Sequence, residues 1–100
     1  MTIDDCRAEI DSIDSDLLRL LNRRAALALK IGILKHGRGL EICDPQRERE
    51  VIDRVCQANE GPLSHSAVER IFRRIVREAR AAEMNEIVSG ESATSERIAR

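Results

Sequence analysis

Arg24 and Lys35 put cationic side chains where the pattern of this sequence expects apolar ones. At 100° per residue, Ala28, Ile31 and Lys35 all fall within about 40° of Arg24 along one helical line. Two cations about 16 Å apart therefore share an inward face. Glu48 shares its face with Val51, Ile52 and Val55, and Glu83 falls within about 20° of Phe72, on the line of Val76 and Ala79. Each charge taken singly has an ordinary reading. The cations can snorkel to a rim, Glu48 can answer the helix dipole, and Glu83 can emerge into solvent near a helix end. Taken together, three helices each carry inward charge, and buried charge is costly unless it is paired or serves a ligand. Two inward cations flanked by further arginines point to an anionic small molecule held inside a helical bundle. No Ser-His-Asp or Cys-His arrangement and no phosphate-binding glycine loop is visible, and His36 and His65 sit in loop-like contexts. An enzyme built on these residues would have to work without a nucleophile or a metal, and no cofactor is expected.

Three helices have to position these residues. The first opens at Thr2, a plausible N-cap, with Asp4 and Asp5 in its first turn. Apolar residues then recur at helical spacing from Ile3 through Ile10, Ile13, Leu17, Leu20, Leu21, Leu27 and Ile31 to Leu34, until Gly37 and Gly39 interrupt them. A helix of about 34 residues runs roughly 50 Å. A globular domain of this size has a radius of gyration near 13 Å, so a helix that long needs a second chain to cover it. The second helix has Asp44 as N-cap and Pro45 at its first position, and ends near Asn59-Glu60-Gly61-Pro62. The third begins at Ser64 or at Ser66, where Glu69 completes a capping-box spacing. Its buried stripe is Val68, Ile71, Phe72, Ile75, Val76 and Ala79, running on to about Ile87. Residues 1–88 form one helical domain in this reading, and residues 89–100, polar and aperiodic, form a disordered tail.

Composition narrows the function. Basic and acidic residues number 17 and 18, a net charge of −1, and Phe72 is the single aromatic. Nucleic-acid binders show a basic excess with stacking aromatics, so no nucleic-acid partner is expected. Cys6, Cys43 and Cys56 have neither disulfide-framework nor zinc spacing and read as free thiols in a reducing cytoplasm. The first six residues are acidic and lack an apolar run, so no signal peptide is expected, and no stretch is long enough to span a membrane.

At the level of ordered motifs, residues 3 to about 87 resemble the helical chorismate mutases. The motifs are Cys6-Arg7-x-x-Ile10-x-x-Ile13-Asp14, Leu17-Leu18-x-Leu20-Leu21, Arg23-Arg24, Ile31-Gly32-x-x-Lys35, Asp44-Pro45-x-Arg47-Glu48-Arg49-Glu50 and Ile71-Phe72-x-x-Ile75. The resemblance implies an all-α, intertwined homodimer of three-helix chains that rearranges chorismate to prephenate in phenylalanine and tyrosine biosynthesis. It assigns substrate contacts to Arg7, Arg24, Lys35, Asp44, Arg47 and Glu48, with Arg7 reaching into the partner chain's site. The spacing agrees, because Arg7 and Arg24 lie about 25 Å apart on one helix and cannot grip one small substrate together. The reaction is a concerted pericyclic shift of a dianion. Arginines would clamp the carboxylates, Lys35 would stabilise the ether oxygen, and Glu48 would accept a hydrogen bond from the ring hydroxyl.

Two positions depart from the family pattern. Ala79 stands where some members carry a small hydroxyl residue, and Glu83 where many carry Gln as a second donor to the ether oxygen. Glu83 can donate there only when protonated. The rival readings are an isochorismate-pyruvate lyase of the same fold, disfavoured by the presence of Glu48, and a non-catalytic helical dimerisation or regulatory module. Association with another shikimate-pathway enzyme is compatible with the sequence.

Overall fold

A computed structural model describes residues 1–99, with side chains through residue 89. It consists of three helices, α1 (Ile3–Gly37), α2 (Pro45–Ala58) and α3 (His65–Ala99), with no strand among the described residues. The sequence accounts for where each helix begins. Thr2 caps α1 reciprocally: its hydroxyl accepts from the Asp5 N–H at 3.1 Å while Asp5 accepts from the Thr2 N–H at 3.0 Å. Those bonds hold the Asp5 carboxyl below its ordinary range. Asp44 caps α2 by accepting from the Arg47 N–H, and Pro45 occupies the first turn, where its missing donor costs nothing.

The start of α3 resolves an open alternative. Ser64 is the cap, its hydroxyl accepting from the Ala67 N–H. Ser66 lies inside the helix and accepts from Arg70, while Glu69 accepts from Arg73 instead of closing a capping box. His36 and His65, expected in loops, belong to the last turn of α1 and the first of α3. The α2–α3 turn is closed by Asn59, which donates to the Leu63 carbonyl and accepts from the Gly61 N–H. Gly61 needs its freedom there, at φ 82°. α3 continues past Ile87, where its apolar stripe ends, to Ala99. The expected tail over residues 89–100 falls almost wholly outside the described side chains.

α3 packs against both α1 and α2 and forms the shared wall of the chain. Ile52, Val68, Ala79 and Ile87 are buried, Phe72, Ile75 and Val76 are half-buried, and Ile71 is exposed, at the edge of the stripe that was expected to bury it. This core is small. The molecule measures 63 × 30 × 15 Å with a radius of gyration of 18.0 Å, well above the roughly 13 Å of a globular domain this size. Residues 1–23 are exposed throughout, including Ile10, Ile13, Leu17 and Leu21. No helix among the described residues is long and apolar enough to cross a membrane.

Candidate active site

The inward charges of the three helices meet in one cavity of about 250 Å³. The C-terminal half of α1 supplies Arg24 and Lys35 along with Leu27, Ala28, Ile31 and Gly32. α2 and the residues before it supply Ile42, Asp44, Arg47, Glu48 and Val51, and α3 supplies Val76, Ala79, Arg80 and Glu83. Seven of the eight residues expected in the site (Arg24, Lys35, Asp44, Arg47, Glu48, Ala79 and Glu83) therefore line a single space. Arg7 does not. It is exposed and lies on the uncovered half of α1, far along the helix from Lys35.

Local structure explains how the side chains are held. Asp44 has two tasks: Oδ1 caps α2, and Oδ2 lies 3.7 Å from Lys35 Nζ. One carboxylate thus ties the end of α1 to the start of α2 and steadies Lys35 at the rim. Glu48 is well enclosed, its side chain only 15% exposed. Arg80 Nη2 donates to Glu48 Oε2 at 2.9 Å, and Arg73 Nη1 lies 3.9 Å from Glu48 Oε1.

Gly32 lets Glu83 approach. A Cβ at that position would lie 3.3 Å from Glu83 Cγ, so α1 and α3 come together over the glycine. The enclosure has an electrostatic consequence. Burial pushes the Glu83 carboxyl above its ordinary range, against the opposing pull of Lys35, Arg80 and Arg24.

Arg80 was missing from the set read off the sequence. Its signal was available, because Val76, Arg80 and Glu83 stand at i, i+4 and i+7, the same criterion that singled out Arg24 and Lys35. It was hidden among Arg70, Arg73, Arg74 and Arg77, which on this helix read as a solvated basic face.

The cavity can hold a small anion between cations on three helices and offer it one firmly held carboxylate and one whose pKa burial raises. Residues 6–84 match the family model for chorismate mutase type II. The chain belongs to that family. Within it, the bifunctional chorismate mutase/prephenate dehydratase of Neisseria gonorrhoeae is 46% identical over 77 residues, covering 77% of this chain and 21% of that protein. The protein of the same description from Aquifex aeolicus is 42% identical over 74 residues, covering 70% of this chain and 20% of its own length. The chain thus spans about a fifth of these curated relatives. Among solved structures, chorismate mutase (form II) from Thermus thermophilus superposes with a TM-score of 0.80 at 32% identity, covering 82% of this chain and 93% of that one. The chorismate mutase type II fold and the three-helix chain expected from the sequence are therefore the same.

Proposed function

We propose that the chain is a chorismate mutase, rearranging chorismate to prephenate for phenylalanine and tyrosine biosynthesis in the cytoplasm. The observation that carries this reading is the convergence of Arg24, Lys35 and Arg47 with Glu48 and Glu83 around one small cavity in a member of this family. The reaction is unimolecular: the ether C–O bond breaks as a C–C bond forms, with no proton transfer and no covalent intermediate. The protein's work is to hold the dianion in a compact conformer and to stabilise charge as it develops. Arginines grip the carboxylates bidentately. Lys35 faces the ether oxygen, where negative charge grows in the transition state. Glu48 accepts from the ring hydroxyl. Glu83 donates to the ether oxygen in its neutral form, which its enclosure favours.

The active unit is an intertwined homodimer, in which Arg7 of one copy completes the cavity of the other. Support comes from the bare apolar face of residues 3–21, which no other helix of its own chain covers. The fusion of relatives to prephenate dehydratase supports an association with another enzyme of the same pathway. The test is to offer the purified chain chorismate and isochorismate in separate assays. Prephenate formed from chorismate is the expected result. Pyruvate released from isochorismate with no prephenate from chorismate would replace the mutase with the lyase, and inertness toward both would make the fold a non-catalytic module.

A further inference from the structure

Among the described residues, Glu48 is the one carboxylate of the cavity gripped by a short charge-assisted hydrogen bond from a different helix, and the grip is asymmetric. Arg80 Nη2 donates to Oε2 at 2.9 Å, whereas Arg73 Nη1 lies 3.9 Å from Oε1, beyond hydrogen-bonding distance. A carboxylate oxygen has about two acceptor positions, so Oε1 keeps its capacity while Oε2 is engaged. The planar guanidinium imposes a direction on the carboxylate that a flexible ammonium would not. Arg80 itself is half-buried, lines the same cavity, and stands one turn before Glu83 on α3. Ala79 beside it brings no polar atom, so on this stretch of the wall the polar groups are Arg80 and Glu83 alone.

We infer that Arg80 is a positioning residue: by holding Glu48 Oε2 it presents Oε1 to the ring hydroxyl of the substrate, and so sets the preference for a hydroxylated dicarboxylate over its deoxy counterpart. The inference rests on the mutase reading for the identity of the substrate, but not for its measurement. Arg80 acts through Glu48 and does not itself meet the reacting atoms.

The experiment is a double-mutant cycle with two readouts: kcat/KM for chorismate, and calorimetric affinity for a pair of unreactive cyclic dicarboxylates with and without the ring hydroxyl. Arg80→Gln should lower kcat/KM by roughly tenfold to a hundredfold, the range spanned by one hydrogen bond to a charged group. It should also bring the hydroxyl preference close to one. In a Glu48→Gln background the same substitution should change neither readout by more than about twofold. Arg80→Lys should recover part of the preference. Arg74→Gln, which removes an exposed cation paired with Glu78, should leave both readouts at wild type, and thermal melts would verify that every variant folds. Equal losses from Arg80→Gln in both backgrounds would show that Arg80 contacts the substrate directly and would overturn the inference, as would an intact hydroxyl preference in Arg80→Gln or none in wild type. If wild type prefers the hydroxylated ligand yet leaves chorismate unchanged, the mutase reading fails while the role of Arg80 is still decided by the binding arm.

Discussion

The two halves of α1 share a helix, a composition and a spacing of apolar residues, yet they meet different surroundings. From Arg24 to Lys35 the helix packs on α3, buries Gly32, half-buries Arg24, Ala28 and Lys35, and walls the cavity. From Ile3 to Leu21 the same kind of stripe is bare, with Ile13 at 55% and Leu17 at 51% exposure. An apolar face this long is not retained for solubility, since exposed contiguous apolar surface marks an interaction site. The difference teaches that one half of α1 is explained by its own chain, while the other is left bare by it and is what the proposed second copy would cover. Arg7, at the far end of the bare half, is then explained along with it.

The largest effect should come from the covered half. Lys35→Ala removes the cation proposed to face the ether oxygen and should lower kcat by roughly 10²–10³, the scale of losing one transition-state donor. Lys35 is partly exposed and paired with a rim Asp44, so the melting temperature should move little. Unchanged kcat would take Lys35 out of the mechanism.

The contrast between the halves also shows how far the sequence could be read. The length of α1, the caps at Thr2 and Asp44 and the inward cations follow from spacing and cap chemistry within one segment, and these stood in the structure as expected. Ser64 against Ser66 was undecidable locally, because both are good caps and only the packing of the incoming turn chooses. Arg80 had the right spacing to be read as inward but stood among Arg70, Arg73, Arg74 and Arg77, so the spacing alone did not single it out. Whether an arginine in a basic helix turns inward depends on a carboxylate 32 residues away, and no local pattern records that contact.

Next in size is a charge on the bare half. Leu17→Asp should cost little in a lone chain, where the side chain already meets water. Against a second copy it loses about 1.5–3 kcal/mol of burial on each chain, so the dimer dissociation constant should rise at least about a hundredfold. Sedimentation equilibrium measures this. An unaltered association state would show that the bare half is not the interface.

A smaller effect titrates. In the proposed mechanism the neutral form of Glu83 is the active one, and burial raises its pKa, so kcat/KM should fall as pH rises through that raised value. Glu83→Gln donates at every pH and should flatten the profile while raising activity at neutral to alkaline pH. Stability carries the same sign: a folded pKa above the unfolded one gives a contribution present below the unfolded pKa and lost as pH climbs through the folded one. Superimposable pH–rate profiles of wild type and Glu83→Gln would remove the proposed role.

The smallest effect tests the contact between α1 and α3. Gly32→Ala gains up to about 1 kcal/mol of helix propensity, but its Cβ meets Glu83 Cγ at 3.3 Å and pushes that side chain aside by a few tenths of an ångström. Melting temperature should stay within a few degrees while kcat/KM drops several-fold. A variant with full activity would mean that Glu83 need not lie where it does.

The central claim, that one half of α1 serves its own cavity and the other half its partner's, is tested most directly by mixing two inactive proteins. Arg7→Ala and Lys35→Ala homodimers should each be nearly inactive. Refolded together, half of the dimers are mixed, and one of the two sites in each mixed dimer has both residues intact, so about a quarter of wild-type activity should return. If mixed dimers form and activity stays at the level of the parents, Arg7 does not complete the cavity of the other chain and the account is wrong.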